Sequence, residues 1–425
     1  MRCGVPIRAL GAGVNVPREK TRSDWMLGDD RGASGPALVS RESGASGAAS
    51  GVSEFLGASG ASGLACTTND PARAHRVGQC KPRETLALPA HLSRDRARAI
   101  GAHANKWANG TVLHYAFIET AQAPWPEAQK SAMRAAFQTW KDIGIGLSFV
   151  EISSDIDPAD LENAWAEAEV RIGFDQSDGS WSWMGTDMLR NDDRGRNMNL
   201  GWDLTNAWGH ATALQQIGHL LGLDHAHRNP NAGIEWNEER LLSYYSAAPN
   251  GWNASRVRAH FLTPHEDDAG NAAREWDPYS IMHHPVPPNH IVRPERWRGG
   301  IAPNLKLSDG DMAWARANYP EIEEQPAIGV LDLKPVTAQD GAQSNFTFTP
   351  RTSRTYAIKL LGQGDAKIVV FEQREGQWRY FDGVDFSGQD GDAQLCVRLV
   401  KGRQYAIRTR IHYAAPRRGA AVVIV

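Results

Sequence analysis

Residues 213–227, which read ALQQIGHLLGLDHAH, constrain the fold of this 425-residue chain more than any other stretch. Leu214, Ile217 and Leu221 recur at the spacing of one helical face, so the stretch predicts a helix anchored in a hydrophobic core. Gly222 stands where this helix should end, since a glycine adopts the left-handed conformation that costs other residues free energy. The chain can therefore turn back at the end of its own helix.

The predicted helix and the turn after it carry a histidine pattern, H-x-x-G-x-x-H, formed by His219, Gly222 and His225. Residues four apart share a helical face, so position 215 lies beside position 219, and position 216 lies about 100° round the helix. Glutamines, Gln215 and Gln216, occupy both positions. The pattern alone is a weak signal, because most helical histidines are core or surface residues, and an ordinary core helix remains an alternative.

The segments around this helix predict an ordered domain of strands and helices over residues 106–322. A helix is expected at 124–144, with Pro126 in its first turn, and strands are expected at 111–119, 147–152, 169–175 and 198–204. After the histidine helix come a loop-rich aromatic stretch and the sequence DPYSIMHHPVPP at 277–288. A last helix is predicted from an N-cap at Ser308 to just before Pro320.

The two ends of the chain differ in character from this middle part. Residues 1–105 are expected to form a disordered segment, because the Gly-Ala-Ser repeats at about 28–63 hold too little apolar surface to offset the entropy of ordering. Residues 330–425 contain seven short alternating runs, from SNFTFTP to AAVVIV, which predict an all-β sandwich as a second domain. Cys66 and Cys80 could close a small loop, but free thiols are equally consistent with the sequence.

Charge and hydropathy limit the classes of partner. The formal net charge is -3 and the pI is about 6.5, so there is no electrostatic reason to expect nucleic acid as a partner. No run is apolar enough to predict a membrane span, and Pro6 and Arg8 interrupt the N-terminus, which makes a poor signal-peptide core. We expect a monomer in the cytoplasm, with secretion as the alternative.

Together these features resemble the metzincin zinc metallopeptidases, whose signature is H-E-x-x-H-x-x-G-x-x-H followed by a methionine turn. GHLLGLDH resembles the second half of the zinc-binding helix, and YSIMHH at 279–284 resembles the Met-turn of the astacin branch. RIGFDQSDGSWSWMGTD, MNLGWDL and HRNPNAGIEWNEE are similar to an astacin-like group found in microbes. The resemblance covers roughly residues 106–320 and implies an α+β domain, a twisted sheet with a zinc-binding helix and a Met-turn.

The resemblance also implies a site, in which three histidines and a water hold one zinc ion and a glutamate takes a proton from that water. His219 and His225 occupy the second and third ligand positions, whereas Gln215 and Gln216 replace the first ligand and the general base. Met282 matches the Met-turn methionine, whose thioether packs beneath the metal. A glutamine amide is a weak zinc ligand and accepts no proton near neutral pH, so we expect impaired or lost hydrolysis.

His284 offers a compensating ligand as a hypothesis. Astacin Met-turns carry a tyrosine two residues after the methionine, and His284 stands at that position. It could supply the missing third nitrogen beside His219 and His225, although a histidine in a Pro-rich turn is more often a surface residue.

Two functions from different classes follow from this reading. The first is a zinc metalloendopeptidase, acting on a polypeptide, whose activity is impaired or lost in this chain. The alternative is a pseudopeptidase that keeps the cleft and binds a peptide or protein without cutting it. The predicted β-sandwich resembles accessory domains that follow bacterial peptidases, and it carries no catalytic constellation.

Overall fold

The computed structural model describes residues 92–93, 95–96, 99, 103–119, 124–152, 165, 167–190, 195–247, 251–263, 275–322, 325–386, 388, 391–416 and 419–425. These residues belong to one compact unit. The predicted Gly-Ala-Ser tether and the pair Cys66 and Cys80 lie outside them, and the division of the chain at 106, 322 and 330 stays a prediction. Cys396 is disulfide-bonded.

The first part of the chain contains a five-stranded sheet, built from β1 (Val112–Phe117), β2 (Ser148–Glu151), β3 (Val170–Gly173), β4 (Trp181–Ser182) and β5 (Met198–Asn199). The strand order is β2-β1-β3-β5-β4. The first three pairs in this order are parallel, and β4 at the edge is antiparallel to β5. The sheet is therefore a mixed one, of the kind that carries helices on a face.

Strand β5 is shorter than the run at 198–204 predicts. A Cβ atom on Gly201 would lie 2.4 Å from the carbonyl carbon of Gly179, so the two backbones touch at this point. The Gly201 amide donates to Ser180 Oγ at 2.8 Å rather than to a strand. Alternation of apolar residues does not reveal such a close backbone approach, which ends the strand early.

Among the described residues, the strands are accompanied by the helices α1 (Glu127–Lys141), α2 (Ala207–Leu220), α3 (Glu238–Ser246), α4 (Ala254–Val257) and α5 (Asp309–Asn318). A π-helical turn, Arg258–Leu262, continues α4. One hydrophobic cluster joins the sheet to α1 and α2 through side chains such as Leu113, Trp140 and Ile217, each 0% exposed. No helix in the described ranges is both long and apolar enough to cross a membrane.

The C-terminal end of α2 turns as the sequence predicts. Gly222 has a φ of 97°, and its amide donates to His219 O at 2.8 Å. The Leu223 amide donates to Gly218 O at 2.9 Å, which completes a Schellman motif. Trp107 Nε1 donates to Leu220 O at 2.7 Å, so a carbonyl at the helix end that lacks an intrahelical partner is satisfied by the core.

A small two-stranded sheet is formed by β6 (Glu235–Trp236), which runs antiparallel to β7 (Ile291–Arg293). It ties the segment after α2 to the segment after the predicted Met-turn. The chain around the histidines is thus fastened from two distant parts of the sequence.

The last part of the chain forms two antiparallel four-stranded sheets, built from β8 (Lys334–Val336), β9 (Gln343–Phe348), β10 (Arg354–Leu361), β11 (Ala366–Arg374), β12 (Gln377–Asp385), β13 (Ala393–Leu399), β14 (Tyr405–Ile411) and β15 (Ala420–Ile424). The orders are β13-β10-β15-β8 and β12-β11-β14-β9, and one hydrophobic cluster draws side chains from both. The seven predicted runs correspond to β9 to β15. Strand β8 was not predicted, because Pro335 interrupts the strand pattern in the sequence. A proline is tolerated in β8 because this strand lies at the edge of its sheet.

Candidate metal centre

Helix α2 carries Gln215, Gln216 and His219 within about one turn. Gln215 is half-buried, whereas Gln216 is 1% exposed and His219 is 0% exposed. The Gln216 Oε1 atom has no hydrogen-bond partner within the part of the chain that the structure describes. A buried acceptor without a partner costs free energy, so this position is occupied at the expense of stability.

The hydrogen bond of His219 fixes which ring nitrogen carries the proton. Its Nδ1 lies 2.8 Å from Leu223 O, and a carbonyl oxygen only accepts, so Nδ1–H donates and Nε2 keeps its lone pair. Burial lowers the pKa of His219. A neutral imidazole oriented through its second nitrogen is the usual form of a metal-ligating histidine.

His225 follows the turn at Gly222 and meets other histidine rings. Its ring centroid lies 4.6 Å from that of His219 and 4.2 Å from that of His284. The carboxylate of Asp224 lies 3.5 Å from His225 Nδ1. Burial, followed by the charge of His284, lowers the pKa of His225 well below its usual range.

Met282 lies directly against α2. A Cβ atom on Gly218 would lie 2.4 Å from Met282 Sδ, so only a glycine leaves room for the thioether. The backbone is fastened as well, because the Ala226 amide donates to Met282 O at 3.1 Å. The methionine therefore packs beneath the segment that carries His219 and His225.

Asp311, in the first turn of α5, holds the turn at Met282 from the other side. Its carboxylate accepts from Ser280 Oγ at 2.6 Å and from the Ile281 amide at 2.8 Å. It also accepts from the Ser308 amide at 3.0 Å, as one half of a capping box. The carboxylate is 0% exposed, so helix cap and turn are built from one buried group.

The π-helical turn after α4 brings in a further histidine, His260. Val257 and Phe261 are buried beneath it and fix the turn in a small hydrophobic cluster. His227 Nε2 lies 3.0 Å from His260 O and donates to it, so a second histidine positions the backbone of the turn. π-helical turns occur frequently at functional sites.

His225, His260 and His284 form a group that can hold a metal ion. Each offers one ring nitrogen, and the three nitrogens lie within 4.8 Å of one another. Nitrogens bound to one zinc ion at 2.0–2.1 Å in tetrahedral geometry lie about 3.3 Å apart, so the group would draw together on binding one. Nε2 of His260 and Nε2 of His284 have no hydrogen-bond partner in the described ranges.

The histidines of this region are uncharged near neutral pH. Burial lowers the pKa of His284 to about 3 and that of His283 to about 4. It also lowers the pKa values of His227 and His260 well below their usual range. Neutral imidazoles carry lone pairs and suit zinc, so the donor set fits the metal that the sequence implies.

The structure brings some of the expected residues together and adds one. His225 and His284 belong to the group, His219 lies beside it, and Met282 lies under α2. His260 was not predicted. The sequence held one signal for it. Val257 and Phe261 have the spacing of a buried helical face, and His260, three residues after Val257, lies next to that face.

No protein-family model matches this chain, and no curated protein matches it. Among solved structures, myroilysin is 23% identical, with a TM-score of 0.44 over 52% of this chain and 98% of its own. A hatching-enzyme zinc protease of Oryzias latipes, high choriolytic enzyme 1, is 14% identical, with a TM-score of 0.32 over 55% of this chain and 100% of its own. The pre-peptidase C-terminal domain of a Bacillus anthracis collagenase is 16% identical, with a TM-score of 0.19 over 25% of this chain and 98% of its own.

Proposed function

We propose that this chain is an astacin-like metzincin, a zinc-metallopeptidase relative with a C-terminal β-sandwich, in which hydrolysis of peptide bonds is impaired or lost. The observation that carries the proposal is Gln216. This side chain is buried, with Oε1 unpartnered among the described residues, and it lies about one helical turn before the buried His219. The fold is kept while the position of the proton acceptor is filled by a group that takes no proton.

The chemistry follows from what each side chain does with a proton. A zinc ion bound to the histidines would polarise a peptide carbonyl and activate water. Gln216 can hydrogen-bond to such a water but cannot remove its proton, and losing a general base typically costs about 10²–10⁴-fold in rate. Gln215 presents an amide where the family has an imidazole, so it would hold zinc more weakly.

The alternative function, a pseudopeptidase that binds polypeptide without cutting it, is supported by how little the glutamines disturb. Glutamine is a good helix former and nearly isosteric with glutamate. Helix α2 keeps its buried face, with Leu214 and Ile217 at most 1% exposed. Helix α2 and its packing can therefore persist after the hydrolysis is lost.

The test compares the parent protein with the Gln215→His/Gln216→Glu double variant. Both are loaded with zinc, and cleavage of casein and of a quenched fluorescent peptide is measured with and without a chelator. We expect an inert or nearly inert parent and a chelator-sensitive, cleaving double variant. Peptide binding by the inert parent, measured by anisotropy, would favour the pseudopeptidase.

Gln216→Glu alone serves as the matched control, since it restores the base without the ligand. It should recover less activity than the double variant. Substantial chelator-sensitive cleavage by the parent would overturn the proposed loss of activity. A double variant that binds zinc but never cleaves would overturn the peptidase origin.

A further inference from the structure

We propose that His225, His260 and His284 together bind one Zn²⁺ ion, in a site that differs by two ligands from the set implied by the sequence resemblance. His225 is common to both sets, His284 is the compensating ligand that the sequence suggested, and His260 is new. The proposal goes beyond the peptidase origin of the fold and does not rest on it, because it uses only residues that the structure brings together.

Three separate segments converge on this point. His225 comes from the turn after α2, His260 from the π-helical turn, and His284 from the segment after Met282. Their ring centroids are 4.2 Å apart for His225 and His284, 4.9 Å for His225 and His260, and 5.0 Å for His260 and His284. Three imidazoles facing one another at such distances match the donor set of a zinc centre better than a hydrophobic core.

Two of the three ligands, His260 and His284, have a buried ring nitrogen without a hydrogen-bond partner among the described residues. His284 is 3% exposed, and its Nε2, like that of His260, has no hydrogen-bond partner in the portion of the chain described. Two unpartnered acceptors or donors in one buried spot are costly. A bound cation would satisfy both, since neutral imidazole lone pairs are what Zn²⁺ coordinates.

The helix offers a poorer set of ligands. Gln215 supplies a neutral amide oxygen, which is a weak zinc ligand compared with imidazole. His219 lies beside His225 but is not among the three residues whose nitrogens lie within 4.8 Å of one another. The chain thus lacks a histidine at the first helical position, but two histidines from other segments, His260 and His284, lie beside His225.

Neighbouring side chains hold these ligands in position. Asp224 lies 3.5 Å from His225 Nδ1, an arrangement in which a carboxylate orients a ligating imidazole. His227 donates to His260 O at 3.0 Å and so acts as a positioning residue for the π-helical turn. The ion would tie this turn and the Met-turn to the end of α2.

The test measures Zn²⁺ affinity of the full chain by competition with a chromophoric chelator, after the protein has been stripped of metal. His260→Gln and His284→Gln should each weaken Zn²⁺ binding by at least about tenfold, since the loss of a ligand costs more than the loss of its hydrogen-bonded partner. Gln215→Ala tests the helical ligand set and should weaken Zn²⁺ binding less than either histidine change, since an amide oxygen is a weak zinc ligand. His210→Gln, a change of a half-buried histidine earlier on α2, is the matched control and should leave affinity unchanged.

A second variant keeps the proposal testable if His260→Gln fails to fold. His260→Cys, loaded with Co²⁺ alone, should show a thiolate-to-cobalt charge-transfer band in the near ultraviolet that the parent lacks. That band arises only if residue 260 contacts the metal. Absence of the band in folded protein, checked by circular dichroism, would overturn the site.

The outcomes separate this site from the proposed function. If Gln215→Ala or His219→Gln abolishes Zn²⁺ binding while His260→Gln does not, the displaced site is wrong and the peptidase origin stands. If His260→Gln loses the metal but the zinc-loaded Gln215→His/Gln216→Glu variant never cleaves peptide, the site stands and the proposed function is wrong. A parent that takes up no Zn²⁺ overturns the site.

Discussion

Gly218 shows how one residue couples α2 to the turn at Met282. A glycine in the middle of a helix normally costs about 1 kcal/mol relative to alanine. Glycine is nevertheless required at this position, because Met282 Sδ occupies the space that a Cβ atom would fill. Close packing of interiors means that one added carbon here must move the methionine or the helix.

We predict that Gly218→Ala destabilises the protein by about 1–3 kcal/mol, because overpacking outweighs the better helix propensity of alanine. The free energy of unfolding in urea measures this. Gly299→Ala is the control, since Gly299 is exposed and a Cβ atom there would meet nothing within 4 Å. A Gly218→Ala variant more stable than the parent would mean that helix propensity dominates instead.

At the scale of elements, α5 and the turn at Met282 are joined by shared hydrogen bonds. Asp311 caps α5 and accepts from Ser280 and Ile281 of the turn, so neither element is complete without the other. Ser308 is the N-cap that the sequence predicts, and its Oγ accepts from the Asp311 amide at 3.0 Å. The geometry of the histidines therefore depends on a helix that contributes no histidine.

We expect Asp311→Ala to destabilise the protein by about 3–5 kcal/mol, because three donors lose a charged acceptor in a buried place. Chemical denaturation gives the change in unfolding free energy. Asp309→Ala, in the same helical turn but exposed, should cost only a few tenths of a kcal/mol through the helix dipole. Equal effects of the two changes would contradict the role assigned to Asp311.

For the whole molecule, polar contacts join the first part of the chain to the C-terminal sheets. The side-chain oxygen of Gln343, on β9, accepts from the backbone amide of Asn109 at 2.7 Å. The side-chain nitrogen of Gln343 donates to the backbone carbonyl oxygen of Asn109 at 2.8 Å. Arg410 Nη1 donates to Trp107 O at 2.9 Å. Because Trp107 also donates to the end of α2, the C-terminal sheets support the segment that supports the histidine helix.

Gln343→Ala should lower the unfolding free energy by about 2 kcal/mol, since two backbone groups of Asn109 lose a neutral partner. Gln339→Ala is the matched control, because Gln339 is exposed on the preceding turn. Thermal and urea unfolding of the full chain measure both. If the two variants unfold alike, the contact between the two parts contributes nothing to stability.

At the same junction, the buried side chain of His103 should make the stability of the protein depend on pH. Its pKa is lowered to about 2, chiefly by burial and then by the charges of Lys106 and Arg410. The unfolded chain takes up a proton below a pH of about 6.5 that the folded chain refuses, so stability is complete above that pH and falls below it. His103 alone should remove about 2 kcal/mol between pH 7 and pH 5.

The measurement is the unfolding free energy of the parent and of His103→Gln at both pH values. The variant should lose about 2 kcal/mol less than the parent on acidification. An identical loss in both proteins would show that His103 is protonated equally in the folded and unfolded states.

The sequence by itself determined whatever depends on neighbours within a few residues. Helical periodicity located α2, Gly222 marked its end, and alternation located β9 to β15. Helical spacing also placed Gln215 and Gln216 on the same turn as His219. Each of these follows from local propensity and the burial of one face, which a short window of residues contains.

Only the tertiary structure decided which histidines meet. His225, His260 and His284 lie far apart in the chain, and their convergence depends on a π-helical turn and on the turn at Met282. The short strand β5 was likewise set by contact between Gly201 and Gly179. Packing between distant segments leaves no periodic mark in the sequence, because its energy comes from contacts that no local window contains.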